Sequence, residues 1–508
     1  MLWSTKKLIF ISFCVLFPCF QNFGVSYQTI NFESVSDIAK ELADSKYAAP
    51  AYNLSKTSSS VTTEQYAQIK YLPDGILWDK KNILFRLGLF PMGSKYTIPV
   101  ELNEFKGSYM EAIRFSSEFY DYGNIKKQMQ GISSYAGIKL LYELNLPHSY
   151  MDFIQFLEND FFQAIGRNND FGVSAAGVSI NEKVPDVEQE TPYFKTLWIG
   201  KPNPKATFVS VFGLLDSPSV TGVYEFIIKP GDITEIKVRS KLYFRKKVLL
   251  LGLSPMISFF LYGEYSNSRI ETYNPEVHSS DGLIIADDKD NTSWHPLVNP
   301  KQDRFSIYPV NRIKYFGLLQ RDRNYSNYLD PVNPYQLKAN LWVTPDNDWG
   351  KGSVYLIEAS VSDKTTTNNI KTFWVPEIET GPGKSYDFNY TLHWSMKPPE
   401  QKLGEVFYTF IQKNPQNPKL TDFIIYFDGD GLQKIDSVVK IKVDATISSN
   451  AKYIGTPQIM KDQYNHKWRV ILTVEPESKP IPPIIDLSCK LSLHNKIITE
   501  TWGFRWNP

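Results

Sequence analysis

Apolar and polar positions along this chain fall mostly into short runs of the kind strands use. Examples are the runs at 207–215 (TFVSVFGLL), 222–228 (GVYEFII), 233–242 (ITEIKVRSKL) and 353–359 (SVYLIEA). Many end at turn residues, such as Pro230-Gly231-Asp232. Two segments have helical spacing instead. At 33–47, Val35, Ile38, Ala39 and Leu42 recur on one face with a 3.6-residue period. The segment 150–166 is a second, weaker helical candidate. No internal repeat of 20–50 residues is present.

The run is interrupted at 396–401 (MKPPEQ), where Pro398 and Pro399 exclude a central strand. Five further strand-like runs follow at short spacing, at 423–427, 438–447, 468–474, 487–493 and 497–506. Their number and spacing suit an immunoglobulin-like sandwich lacking its disulfide. The expected fold is therefore all-β, with a large β-sandwich over 27–395, a linker at 396–402 and a small C-terminal sandwich over 403–508.

The first 26 residues read differently. Lys6 and Lys7 precede an apolar run at 8–20 that is short for a bilayer span, and Gly24-Val25-Ser26 supplies small residues for cleavage. This is the pattern of a Sec-type signal peptide, so export with no stable membrane insertion after cleavage is expected. Cys14 and Cys19 would leave with it, and Cys489 would stand alone. A chain with one thiol must rely on its core rather than on disulfides.

Composition narrows the function. Aromatic residues are abundant, with 32 Phe, 30 Tyr and 11 Trp. The 55 Lys and Arg, less the two in the signal, nearly match the 54 Asp and Glu. So even a balance argues against nucleic acid as partner. The six histidines show no metal-ligand spacing, and no cofactor motif survives inspection. Asp428-Gly429-Asp430-Gly431 resembles a calcium loop, but Val439 stands where a bidentate Glu belongs, so it reads as a turn.

Carboxylates and indoles concentrate between residues 264 and 374. Sugars offer C–H faces that stack on aromatic rings and hydroxyls that bond to carboxylates and arginine. Composition alone favours the plainer reading, an aromatic core with solvated acids. Longer segments change that balance. The stretches at 214–222 (LLDSPSVTG), 254–263 (SPMISFFLYG), 294–300 (WHPLVNP), 316–323 (FGLLQRDR), 342–352 (WVTPDNDWGKG), 369–376 (NIKTFWVP) and 500–502 (ETW) resemble the periplasmic (osmoregulated) glucan biosynthesis proteins, the MdoG-like family. They appear in family order over nearly the whole chain.

The resemblance implies a galactose-mutarotase-like β-sandwich joined to an immunoglobulin-like domain, in the periplasm. It implies a β-linked glucan and a membrane glucan synthase as partners. Some members are inverting β-1,2-glucanases, in which one carboxyl protonates the leaving oxygen and another activates water. At the two acidic positions expected for that chemistry this chain has Ser279 and Asn368. Ala176 and Gln163 stand where the family usually has arginine. Asp281 and Asp363 are the fallback acids, and Asp281 would share a face with Ser279 if the segment were extended. The candidate glucan-binding residues are Glu276, His278, Asp281, Trp294, Arg321, Asp322, Trp342, Trp349, Tyr355 and Trp374. For each, a structural role competes: core packing for the indoles and His278, a strand-end ion pair for Asp322 between Arg321 and Arg323. The expectation is a protein that binds and shapes glucan, with hydrolysis weak or lost. The alternatives are an active glucanase using shifted acids and a general carbohydrate-binding envelope protein.

Overall fold

A computed structural model describes residues 29–50, 56–80, 82–266, 273–362, 368–477 and 484–508. Residues 1–26, read from sequence as a signal peptide, and Asp363 lie outside these residues. The chain is nearly all β, arranged as stacked sheets with no barrel. An eleven-stranded sheet faces a fifteen-stranded one, and their inner faces share one large apolar core that includes Phe156, Phe226, Trp374 and Trp394.

The 33–47 expectation corresponds to a helix at Phe32–Asp44. Asn31 caps it by accepting from the Ser34 amide, and Ser34 returns a bond to Asn31, a reciprocal capping box. Phe32, Val35 and Ala39 bury against Trp198, Phe212, Leu214 and Val223 on the outer side of the larger sheet. Arg245 donates to the carbonyls of Leu42 and Ser45, closing the helix C-terminus.

The second helical expectation is overturned. Residues 150–166 form the strands Met151–Leu157 and Phe161–Ala164, joined as an antiparallel hairpin. Glu158 and Asn159 take φ values of 68° and 56° at the turn, and Phe156 and Phe162 stack at 5.2 Å inside the core. Aromatic packing on a pleated surface prevails over a weak helical period.

Strands Val209–Asp216, Val220–Lys229, Thr234–Phe244 and Gly352–Glu358 occupy the runs expected from the sequence. Past Ser395 there is no strand until Glu405. The strands beyond form two facing layers. One is the sheet built from Glu405–Lys413, Thr421–Asp428 and Trp468–Pro476 with two short additions. The other contains Lys442–Ile447, Ile485–Leu493 and Thr501–Trp506. Phe423, Trp502, Phe504 and Trp506 fill the space between them, with Trp502 and Phe504 stacked at 5.7 Å. The strand expected over 438–447 begins only at Lys442, and Val438 is exposed. Strand Thr501–Trp506 also pairs in parallel with Thr292–Pro296, through Ser293↔Thr501 and Trp294↔Trp502. The C-terminal layer thus continues the large sheet.

Candidate functional site: a buried acid–histidine cluster at a seam

Strand Leu251–Ser258 leads into Phe260–Tyr262, which pairs with the two-residue strand Val277–His278. The Ser279 amide donates to the Phe259 carbonyl at 2.8 Å. Asn369 clamps the other side of this segment, accepting from the Phe260 amide and donating to its carbonyl, both at 2.9 Å. Ser279 and Asn369 therefore flank one short stretch, 259–260, and Asn368 is the chain neighbour of Asn369. Ser279 is buried and Asn368 is exposed.

The backbone bends at Ser279 and Asp281 before entering strand Gly282–Asp287. The extended geometry that would carry Asp281 onto the face of Ser279 is absent. The bend instead returns Asp281 to His278, with Oδ1 3.2 Å from Nδ1. Asp281 Oδ2 accepts from the backbone amides of Arg321 and of Asp322, the latter at 2.7 Å. With both oxygens engaged, Asp281 is built into the site.

His278 is fully buried. Its Nε2 lies 2.8 Å from Glu276 Oε2, and its Nδ1 lies 3.0 Å from Gln320 Oε1. Phe260 stacks on the ring at 5.1 Å and Tyr328 meets it edge-on at 5.2 Å. Burial disfavours a charged imidazole, but Asp281, Glu276 and Glu264 outweigh it and raise the pKa to about 9. Burial raises Asp281 to about 6 against the opposing pull of His278. Burial, with Glu276 and Asp281 nearby, holds Glu264 well above the usual carboxylate range.

The cluster opens onto the seam with the C-terminal strands. A small cavity of about 20 Å³ is lined by Glu264, Asp281, Trp294, Arg321, Asp322 and, from strand Glu405–Lys413, Tyr408. Arg321 anchors this wall. Its guanidinium lies 3.7 Å over the Trp294 ring and bonds to the fully buried Glu500 at 2.5 and 3.1 Å, and to the Val406 carbonyl at 2.8 Å. The ion pair imagined for Asp322 is not formed. Arg321 pairs with Glu500, while Arg323 donates to the carbonyls of Gln336 and Lys338. Asp322 accepts from Asn324 and Asn327.

Glu276, His278, Asp281, Trp294, Arg321 and Asp322 thus come together, and the other four candidates lie elsewhere. Trp342 stacks on His393 at 5.0 Å. Trp349 and Trp374 pack in the core, 6.5 Å apart. Tyr355 packs with Phe305 and Phe373, in a separate apolar cluster on the outer face of the smaller sheet. Sequence reasoning missed Gln320, Tyr408 and Glu500, whose roles depend on distant pairing. Glu264 was visible only as one of many acids.

That outer face carries a further feature. A row of half-buried polar side chains crosses four neighbouring strands: Lys139, Gln155, Gln163 and Ser174 stand in register. Asp152 accepts from Lys139 at 2.9 Å, Gln163 donates to Gln155 at 3.0 Å, and Ser174 donates to Gln163 at 3.3 Å. Tyr71 lies under the Lys139 ammonium at 4.3 Å. In register beyond Ser174 come Ile257 and Lys371. These sit two residues before Phe259 and two after Asn369, so the row leads to the segment that Ser279 and Asn369 flank.

Among the described residues, no group of histidine, cysteine and acidic side chains could hold a metal ion, and no helix is long and apolar enough to cross a membrane. Residues 30–506 match the family described as periplasmic glucan biosynthesis protein, MdoG. Proteins named glucans biosynthesis protein G from Pseudomonas paraeruginosa (strain DSM 24068 / PA7) and Pseudomonas aeruginosa (strain LESB58) are each 31% identical to this chain. Each alignment covers 94% of this chain and 92% of the relative. A match over almost all of both chains, on an all-β fold of stacked sheets, places this chain in the periplasmic glucan biosynthesis protein family.

Proposed function

We propose that this chain serves in periplasmic glucan biosynthesis by binding and shaping a β-linked glucan, with hydrolysis weak or lost. The observation that carries this reading is the absence of a carboxyl group at Ser279, which bonds to the 259–260 segment, and at Asn368, next in the chain to the Asn369 that clamps it. Neither Ser279 nor Asn368 can act as a carboxyl acid or base, and each such contribution is worth roughly a hundredfold or more in rate. Asp281 is a poor replacement, since its oxygens already serve His278 and two backbone amides. The polar row from Lys139 to Ser174 suits a sugar chain, because its amide and hydroxyl groups can both donate and accept. In this reading 27–395 carries the glucan, and 403–508 is a domain that walls the mouth of the site through Tyr408. A membrane glucan synthase is the natural partner of such a role.

One observation favours a second reading, hydrolysis by a relocated acid. Glu264 borders the cavity and keeps its proton well above the usual carboxylate range, as a general acid must. Restoring both acids, as Ser279→Asp with Asn368→Asp, separates the two. The proposal expects new reducing ends from linear β-1,2-glucan with the double variant and essentially none with the parent. Cleavage by the parent that Glu264→Gln abolishes would establish the second reading instead.

A further inference from the structure

The neighbours of His278 fix where its protons lie. The Gln320 side chain is buried, and its Nε2 sits 3.1 Å from the His278 carbonyl and 3.2 Å from the Tyr335 carbonyl. Carbonyl oxygens only accept, so that end of the amide is its NH₂ group. The Tyr328 hydroxyl, 2.8 Å from the same nitrogen, passes its own hydrogen to the Asp322 carbonyl at 3.2 Å. Gln320 Oε1 is thereby turned toward His278 Nδ1, and an amide oxygen cannot donate. Nδ1 must therefore carry a hydrogen, which Asp281 Oδ1 at 3.2 Å also favours. The other nitrogen, Nε2, faces the Glu276 carboxyl at 2.8 Å.

We propose that His278 is an imidazolium at neutral pH, with Gln320 as its positioning residue. Its task is to hold a fixed positive charge among the acids of this buried cluster, not to transfer protons. This deepens the glucan-binding reading and rests on it for its purpose. A neutral sugar hydroxyl donates best to an ionised carboxylate, and crowded carboxylates stay ionised only beside a compensating cation. The groups around the ring are Glu276 and Asp281 on its own segment and Glu264 after the paired strand. From the opposite strand end come Asp322, Arg321 and Arg323, with Tyr328 edge-on. Both arginines are committed elsewhere, Arg321 to Glu500 and Arg323 to backbone carbonyls. Among the described residues, His278 is thus the cation paired directly with Glu276 and Asp281.

The test is nitrogen NMR of the histidine rings in ¹⁵N-labelled full-length mature protein without glucan, with His278→Gln assigning the signal. At pH 7.5 both ring nitrogens of His278 should show the shifts of protonated imidazolium. Gln320→Leu should move the His278 titration at least tenfold in proton affinity toward acid. A His278 ring with one unprotonated nitrogen at pH 7.5 in the parent would overturn the proposal, whether or not the variants fold. So would a titration that Gln320→Leu leaves in place. Because glucan is absent, a failure here is distinct from a failure of glucan binding.

Discussion

Arg321 and Glu500 meet across 179 residues of sequence in a buried, two-bonded pair. A pair of this kind is a weak source of net stability, yet breaking it from one side strands a charge. Glu500→Gln should lower the unfolding free energy by about 3–5 kcal/mol in urea titration. Arg321→Met combined with Glu500→Leu should recover much of that loss. His278 makes the fold sensitive to pH in a defined direction. Its folded pKa of about 9 exceeds the 6.5 of the free side chain, so its contribution is complete below pH 6.5 and vanishes as pH rises through 9. Unfolding free energy should fall by about 3 kcal/mol over that window in the parent, and His278→Gln should flatten the curve. Asp281, raised to about 6, and Glu264, held well above the usual carboxylate range, change stability in the same direction, so the comparison with His278→Gln isolates the imidazole. At this scale the sequence exposed residue types but not commitments. Trp294, Arg321 and Asp322 could be picked out as sugar-compatible. That Arg321 belongs to Glu500, and Asp281 to two backbone amides, depended on bonds between distant segments.

At the scale of elements, legibility followed how local the determining interactions are. The helix at Phe32–Asp44 was readable because its cap and its apolar face lie within the element itself. The hairpin over 151–164 was not, because what decides it is aromatic packing of Phe156 and Phe162 against Phe226 across the core. The seam between Thr292–Pro296 and Thr501–Trp506 is the least local of all, a parallel pairing with no sequence signal of its own. Its fit is close. A Cβ added to Gly503 would lie 2.7 Å from the His295 ring, which itself packs on Tyr308 at 4.0 Å. Burial holds His295 neutral, with its pKa lowered to about 3. Its contribution is therefore present above pH 6.5 and is lost as pH falls through 3. Gly503→Ala should destabilise the protein by about 1–3 kcal/mol in urea titration, since the ring cannot retreat without leaving Tyr308. A change below a few tenths would mean that the seam is looser than it looks.

For the whole molecule, strand content, turn residues and the break at 396–401 made a chain of stacked β layers legible from sequence. The same reading could not show that a C-terminal strand extends the large sheet and so brings Tyr408 and Glu500 to the acid–histidine cluster. The outward row of polar side chains was equally hidden, because register between strands sets it. These features together define a polar surface leading to the segment bonded by Ser279 and Asn369, with no carboxyl group at Ser279 or Asn368. The most direct measurement incubates the purified protein with linear β-1,2-glucan and follows binding heat and new reducing ends together. The account predicts measurable binding heat with reducing ends staying at the level of a protein-free control. Reducing ends that rise in proportion to protein concentration would contradict it.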